Sequence, residues 1–339
     1  MKISRSVAYA LGVGVTVAAL TACNGGGLTQ STPSSGAQPN GVVAGQRHGA
    51  SPVAVKVGIP HPLHGKSRVK AGKGAPLLYV SDYVNAVVNV YSWPGAKLVG
   101  TLYGTGLPRG MCADKAHNIW ITDATGSVAL YPHGATSPTT VLTTPGYDPV
   151  ACAVNPKTGD LAVSNIQDAS GAQGSLMIFA HGSGSPTTYF DPAIYYYDFL
   201  GYDNKGNLFI DGQDGSLGFQ LAEFSNGSFT PITVSGATIN FPGGVQYVRG
   251  TLTVGDQAAA GGSSIVYQMS ASGQVSGSTT LSGSQDCVQY YVSGGSIVCP
   301  NAGGPTGPNA SVYHYAGGGV PTASLDGSYM LPLGAVISK

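Results

Sequence analysis

The stretch from Pro108 to Leu142, PRGMCADKAHNIWITDATGSVALYPHGATSPTTVL, contains four short runs of residues that favour β-strands. The runs cover residues 110–113, 119–122, 128–131 and 139–142, and Gly, Pro, Asn and Asp lie between them. Each run is too short for an ordinary helix, which averages about 11 residues. The stretch therefore predicts four consecutive strands joined by turns.

The second and third runs of this stretch recur along the chain, and together they make six copies. The other five pairs are LLYVSD (77–82) with VVNVY (87–91), LAVSN (161–165) with LMIF (176–179), LFIDG (208–212) with LAEF (221–224), LTVGD (252–256) with IVYQM (265–269), and IVCPN (297–301) with VYHY (312–315). Equivalent positions at or directly after the ends of the second runs, residues 82, 123, 165, 212, 256 and 301, lie 41 to 47 residues apart. This period, with four strands in each unit and no helical pattern, predicts an all-β, six-bladed β-propeller with four-stranded blades over residues 76–339.

The two ends of the repeat region indicate how the ring closes. The first copy begins at its second strand and has no innermost strand before it, whereas the chain finishes with LPLGAVIS (331–338). That segment matches LPRGMCAD (107–114), which opens the second copy. We therefore expect the C-terminal strand to pair with the first blade, which would leave no open sheet edge between the first and last blades.

Residues 1–22 have the pattern of an export signal. Lys2 and Arg5 precede an apolar run of 14 residues, which is too short to span a bilayer. The following residues, LTAC (20–23), resemble the lipobox of bacterial lipoproteins, and this resemblance implies cleavage before a lipid-modified Cys23. Acyl chains anchor a protein without spanning the membrane. Because Asn24 stands where inner-membrane lipoproteins carry Asp, we expect an exported protein anchored at the outer membrane or cell surface.

Residues 23–75 are predicted to be a flexible linker, since Gly, Ser, Pro and Ala dominate them and aromatic residues are absent. The segment contains six Lys or Arg residues and no acid, whereas the ring carries seven basic against 15 acidic residues, a formal charge of −8. An acidic ring argues against nucleic acid as a partner, because phosphate binding requires a basic face. The linker itself is either a soluble tether or a segment that contacts anionic lipid, polysaccharide or the ring.

Cysteine usage agrees with an exported protein, because four cysteines remain beyond Cys23, an even number suited to disulfides. Cys112 and Cys152 fall on the innermost strands of neighbouring blades, and Cys287 and Cys299 on the first two strands of blade six. Of three possible connectivities, we expect the pairs Cys112–Cys152 and Cys287–Cys299. The second pair is problematic, since a two-residue turn at 294–295 would place Cys299 opposite Tyr290.

One end of a propeller carries both the loops that enter the innermost strands and those that join second to third strands, and ligands usually bind there. The candidate ligand-binding residues at this end are Arg109, Tyr147, Asp148, Tyr195, Tyr196, Tyr197 and Asp198. A Tyr ring offers a flat apolar face and a hydroxyl at low entropic cost, which suits sugar rings or peptide segments. The alternative is that the three consecutive tyrosines pack between blades.

A column of short polar residues ends the second strands and is compatible with a ring of Ca²⁺ ligands. The column comprises Asp82, Asp123, Asn165, Asp256 and Asn301, with Asp211 one position early in blade four. The alternative is that these side chains cap turns by accepting nearby backbone N–H groups. If a divalent metal is bound, the candidate ligands are Asn165, Asp203, Asp211 and Asp256; otherwise we expect no cofactor.

Residues 108–131 and YDNKGNLFIDG (202–212) share the pattern D-x-x-G-N-[LI]-[FYW]-[IV]-x-D in loose form. This pattern resembles that of NHL repeats and related six-bladed propellers, a resemblance that implies the fold but no particular function. We therefore consider two functions. The first is a non-catalytic, lipid-anchored binding or scaffold module for envelope polysaccharide or protein. The second is a metal-dependent hydrolase or lyase, as in gluconolactonase-like propellers, whose channel metal is held partly by a Glu. The single Glu of the chain, Glu223, is predicted on a third strand away from the channel, which favours the first.

Overall fold

The structure is a computed structural model that describes residues 62–72, 74–305 and 307–339. The predicted signal, the predicted lipidation site Cys23 and the linker up to residue 61 lie outside the described residues. Regular structure in the described ranges consists of 26 strands and one 3₁₀ turn at Ala180–Gly182. No helix in these ranges has the length and hydropathy needed to cross a bilayer.

The strands follow the predicted order and have bounds close to the predicted ones. The first sixteen are β1 (Arg68–Val69), β2 (Leu77–Asp82), β3 (Val87–Ser92), β4 (Leu98–Tyr103), β5 (Pro108–Ala113), β6 (Ile119–Asp123), β7 (Ser127–Tyr131), β8 (Thr140–Thr143), β9 (Tyr147–Val154), β10 (Leu161–Asp168), β11 (Gln173–Phe179), β12 (Thr187–Tyr189), β13 (Tyr196–Tyr202), β14 (Leu208–Gln213), β15 (Phe219–Ser225) and β16 (Ser228–Pro231). The others are β17 (Pro242–Val248), β18 (Thr251–Asp256), β19 (Ser264–Met269), β20 (Val275–Leu281), β21 (Gln285–Cys287), β22 (Tyr291–Ser293), β23 (Ser296–Gly303), β24 (Asn309–His314), β25 (Gly318–Ser324) and β26 (Pro332–Ser338).

Consecutive strands pair antiparallel to form sheets of four. Three such sheets comprise β5–β8, β9–β12 and β13–β16. A nine-stranded sheet combines β17–β20 with β21–β25, and the two parts are joined by one parallel bridge between Leu281 and Gly319. In this second part β21 and β22 both pair with β23, because residues 288–290 between them leave the ladder.

The first sheet contains both the first and the last described strands, in the order β1-β4-β3-β2-β26. The C-terminal strand β26 pairs antiparallel with β2, with Leu77 opposite Ser338 and Val80 opposite Ala335. All seven residues of β26 are buried. This pairing is the one predicted from the match between the C-terminal segment and the opening of the second copy.

Ordered structure begins earlier than residue 76, the boundary predicted from the repeat. The strand β1 adds to the outer edge of the first sheet, with Arg68 opposite Thr101 and Val69 opposite Gly100. The N–H of Lys70 donates to the carbonyl of Val99 at 2.8 Å. The end of the predicted linker is therefore part of the sheet, because the edge of β4 offers it unpaired backbone groups.

Both predicted disulfides are present. Cys112–Cys152 connects β5 to β9, and Cys287–Cys299 connects β21 to β23, with Cα atoms 5.5 Å apart in each pair. The two-residue turn at 294–295 does form, but the ladder on β23 shifts by one residue between Tyr291 and Cys287. The shift moves Cys287 one position towards Cys299, so that Cys287 lies opposite Asn301, and the disulfide joins two residues that are not directly opposite.

The innermost strands approach one another so closely that glycine is required at some contacts. A Cβ atom on Gly334 would lie 2.6 Å from the carbonyl oxygen of Arg109, and one on Gly110 would lie 2.5 Å from that of Val150. The side chain of Gln289 connects two of these strands, since its amide accepts from Met111 N at 2.7 Å and donates to Met111 O at 3.0 Å. These contacts fix the distances between the innermost strands.

Candidate functional site

The polar column at the ends of the second strands caps the loops that enter the innermost strands. Four members accept a hydrogen bond from a backbone N–H just before or at the start of such a strand: Asp82 from Leu331 (3.1 Å), Asp123 from Leu107 (2.9 Å), Asp256 from Phe241 (3.1 Å) and Asn301 from Gln285 (2.8 Å). Both kinds of loop therefore lie at one end of the sheets, which we call the ligand face. The capping explanation of the column accounts for these contacts.

The four candidate metal ligands do not share one location. Asp203 caps a hairpin at the opposite end, where its carboxylate accepts from the N–H groups of Lys205 and Asn207, each at 2.8 Å. Asp256 accepts from residues of its own sheet, and Asn165 donates to Ser175 Oγ at 3.2 Å. Among the described residues, no group of three or more His, Cys, Asp or Glu side chains is arranged to hold a metal ion.

Five residues occupy equivalent backbone positions around the centre of the ligand face, and we call them the axial ring: Arg109, Val150, Asp198, Val288 and Leu333. The carbonyl of each accepts a hydrogen bond from the preceding sheet. The donors are Ser81 Oγ to Arg109 (2.6 Å), Thr122 Oγ1 to Val150 (3.0 Å), Ser164 Oγ to Asp198 (2.6 Å), Gly244 N to Val288 (2.9 Å) and Gln289 N to Leu333 (3.0 Å). Repetition of this contact shows that the five positions correspond.

The centre of the axial ring is narrow and mostly apolar. A cavity of about 20 Å³ lies there, lined by Arg109, Gly110, Val150, Ile166, Phe199, Val288 and Leu333. This volume holds about one water molecule. Two members of the axial ring, Arg109 and Asp198, are ionisable, so the polar chemistry of the centre depends on them.

Arg109 is held by an acid on one side and an aromatic ring on the other. Its Nη2 lies 3.0 Å from Asp148 Oδ2, and its guanidinium lies 5.4 Å from the centre of the Tyr83 ring. The residue is only 4% exposed, and its Nε and the Oδ1 of Asp148 have no partner. Burial raises the pKa of Asp148, and the charge of Arg109 offsets part of that rise. The pair therefore keeps one donor and one acceptor for another group.

Two further carboxyl groups, those of Asp198 and Asp211, are buried in the sheet formed by β13–β16. Asp198 is 1% exposed and neither of its carboxyl oxygens has a partner, so burial raises its pKa to about 8, although Arg109 lowers it somewhat. Asp211 accepts from Phe199 N at 2.8 Å through Oδ1, while its Oδ2 has no partner. Burial and the neighbouring Asp198 raise the pKa of Asp211 well above 3.8. Asp198 is therefore mostly protonated at neutral pH.

The predicted tyrosine run divides into two half-buried rings and one buried ring. Tyr195 and Tyr196 are half-buried and pack edge to face, with ring centres 4.8 Å apart. The Tyr195 hydroxyl donates to Gly171 O at 3.4 Å, which joins the loop of the neighbouring sheet to the run. Tyr197 is fully buried, and its hydroxyl bonds the backbone of Asp191. The packing explanation therefore applies to Tyr197, and the surface of this run is formed by Tyr195 and Tyr196.

The remaining candidate, Tyr147, is half-buried and packs against the core shared by β5, β6, β9 and β10. Sequence reasoning missed Tyr83 beside Arg109, and Phe190, which is 51% exposed in the loop before β13. Tyr83 follows directly after the capping residue Asp82, and this position in the sequence indicates that Tyr83 lies at the ligand face. The surface offers the half-buried rings of Tyr195 and Tyr196 and the exposed ring of Phe190, which suit sugar-like groups, whereas the Arg109–Asp148 pair is mostly buried.

The comparisons with known proteins bear on the fold alone. No family model matches the chain, and no curated protein matches it. The chain is similar to a structure solved in a nidogen/laminin complex, with a TM-score of 0.63 and 11% identity over 78% of this chain and 98% of that one. It is also similar to a Bacteroides caccae protein of unknown function, with a TM-score of 0.58 and 12% identity over 78% of this chain and 100% of the other. These likenesses and the repeated four-stranded sheets show a β-propeller fold.

Proposed function

We propose that the chain is an exported, six-bladed β-propeller, anchored by lipid at Cys23, that acts as a non-catalytic binding or scaffold module. Its ligand in this proposal is an envelope polysaccharide or an envelope protein. The nine-stranded sheet then counts as two blades, because a single bridge joins its halves. Pairing of β26 with β2 supports a closed ring, and the repeats resemble NHL repeats. Two disulfides support an oxidising compartment outside the cytoplasm.

The small size of the axial cavity is the observation that carries this proposal. Pockets that bind small molecules usually measure about 300–1,000 Å³, whereas the cavity in the axial ring is about 20 Å³. A substrate cannot enter the centre without moving the inner strands, whose glycines already lie in close contact. Ligand contact is therefore assigned to the surface of the ligand face, where the half-buried rings of Tyr195 and Tyr196 lie.

Replacing Tyr195 and Tyr196 together by Ala is expected to weaken ligand binding by about tenfold or more, because buried aromatic contacts usually dominate binding energy. The measurement is binding of the purified chain to arrays of envelope glycans and peptidoglycan fragments, with pull-down of envelope proteins in parallel. Tyr247→Ala removes a half-buried tyrosine near the opposite end and is the matched control. Unchanged binding by the double variant, with a positive signal for the parent chain, would place the ligand elsewhere.

Elemental mass spectrometry of the purified chain is expected to find no stoichiometric divalent metal, and a chelator is expected to leave its melting temperature unchanged. The physical reason is that Asp203 and Asp256 already accept several backbone N–H groups, which leaves few free ligand oxygens. One equivalent of Ca²⁺ that is lost from an Asp211→Asn, Asp256→Asn variant would instead favour the hydrolase or lyase alternative. A screen of lactones and esters would then follow.

A further inference from the structure

Three basic residues, Lys66, Arg68 and Lys70, alternate along the first described strand and the residues that flank it. Exposure alternates in the same way: these three are exposed, while Ser67 and Val69 between them are half-buried. Ser67 Oγ donates to Tyr103 O at 3.3 Å and accepts from Tyr103 N at 2.9 Å, and Val69 packs against the core of the first two sheets. Because side chains alternate on an extended chain, the three cations project to one side with about 7 Å between neighbours. We call them the basic stripe.

The basic stripe borders an open groove on the outer edge of the first sheet. The groove has a volume of about 800 Å³ and is lined by the basic stripe, Ser67 and residues 98–101 and 103 of β4. Leu98, on β4, is 46% exposed. The surface therefore combines three cations with an exposed apolar side chain, as at membrane interfaces, where Lys and Arg stems cover apolar surface and keep their charges in the polar layer.

The positive charge of the basic stripe is not compensated within the described part of the chain. None of its three residues forms an ion pair there; the ion pairs found are Arg109–Asp148 and His181–Asp160. The sequence from 24 to 75 contains no acid, so the basic character extends on both sides of the stripe. The rest of the chain, residues 76–339, carries an excess of acids. The stripe is therefore a local cationic surface on an otherwise acidic molecule.

We propose that the basic stripe docks onto the anionic surface of a lipid bilayer. The choice of a bilayer rests in part on the proposed anchor at Cys23, since 42 residues separate Cys23 from Lys66. A linker of this length and composition is expected to span about 35 Å, which would bring the stripe within reach of the membrane that holds the proposed anchor. A basic segment beside an anionic leaflet gains attraction with each Lys or Arg. Docking through β1 turns the outer edge of the first sheet towards the lipid.

The test uses the full chain carrying Cys23→Ser, which cannot be acylated, with vesicles of phosphatidylglycerol and phosphatidylcholine. We expect this variant to sediment with anionic vesicles and to be released from them by salt. It should not sediment with vesicles of pure phosphatidylcholine. Changing all three residues of the basic stripe to Gln is expected to weaken this binding about a hundredfold. The matched control replaces the exposed Lys115, Lys157 and Lys205 by Gln and should bind within about twofold of the parent.

Several results would overturn the docking proposal. Equal losses in the two triple variants would show that only net charge matters. Binding to soluble acidic polysaccharide without binding to vesicles would identify a different partner. Self-association of the stripe variant with unchanged vesicle binding would show that the cations protect a sheet edge instead. Mass spectrometry of the Cys23 peptide tests the anchor separately, so an unmodified Cys23 with charge-dependent vesicle binding would refute the anchor and leave the docking intact.

Discussion

Removal of residues 332–339 is expected to unfold the whole chain cooperatively. The truncation deletes β26, whose seven residues are all buried and pair with β2 along its length. It also removes the partners of Gln289, which bonds the backbone of Leu333 and Ala335. Ser338 bonds the His117 carbonyl and lies beside His133, so contacts to the second sheet are lost as well. The first sheet would then expose the buried strand β2.

The stabilisation lost in this truncation is comparable to the whole stability of a folded domain. Burying one Val, Leu or Ile side chain contributes about 1.5–3 kcal/mol, and Leu333, Val336 and Ile337 are each at most 5% exposed. With the backbone pairs added, the loss is comparable to a total stability of about 5–15 kcal/mol. Circular dichroism during heating measures the effect, and deletion of the exposed Lys339 alone is the control. A truncated chain that melts at the parental temperature contradicts this view of the first sheet.

Replacing Asp198 by Asn is expected to remove a large single-residue contribution to the pH dependence of stability. The pKa of Asp198 is about 8 in the folded chain, because burial disfavours its charged form, against an ordinary value of 3.8. Between these pH values the folded state holds one proton more than the unfolded state. The free energy of unfolding therefore falls as pH rises, by about 1.4 kcal/mol per pH unit. Across the window the loss is on the order of 5 kcal/mol.

The measurement is denaturant unfolding of the parent and the variant at intervals from pH 4 to pH 9. Above pH 8 the free energy of unfolding of Asp198→Asn should be clearly higher than that of the parent. Near pH 4 protonation of Asp198 should no longer contribute to the difference between the two. Burial raises the pKa of Asp211 too, so a slope of the same sign should remain in the variant. The control is Asp326→Asn, which alters an exposed carboxylate. Parallel curves for the parent and Asp198→Asn would show that Asp198 is ionised throughout.

The strands were predictable because they depend on local composition and repeat six times. Runs such as LLYVSD and LFIDG became β2 and β14 with bounds that differ by at most one residue. The strand β1 was not predictable, since two residues are too few to show an alternating pattern and its position depends on the edge of β4. Local chemistry specifies the repeat, whereas an added edge strand needs the folded sheet as its template.

The arrangement of the candidate residues was only partly predictable. Arg109 and Asp148 were expected on one face, and they form an ion pair there. The burial of each tyrosine in the run could not be predicted from the sequence. Alternation shows that neighbouring side chains point to opposite sides of a strand, but it does not show which side is buried. The burial of Asp198 was equally hidden, since it depends on how the inner segments of different sheets pack around the axial ring.

The position of β26 beside β2 has a consequence for the time order of folding. The two strands that complete the first sheet are separated by about 250 residues of sequence, so this sheet has the longest-range contacts in the chain. Synthesis from the N-terminus delivers β2 early and β26 last. The first sheet is therefore the last to be completed. Until β26 pairs with β2, the apolar residues of β2 stay exposed and can aggregate with other unfolded chains.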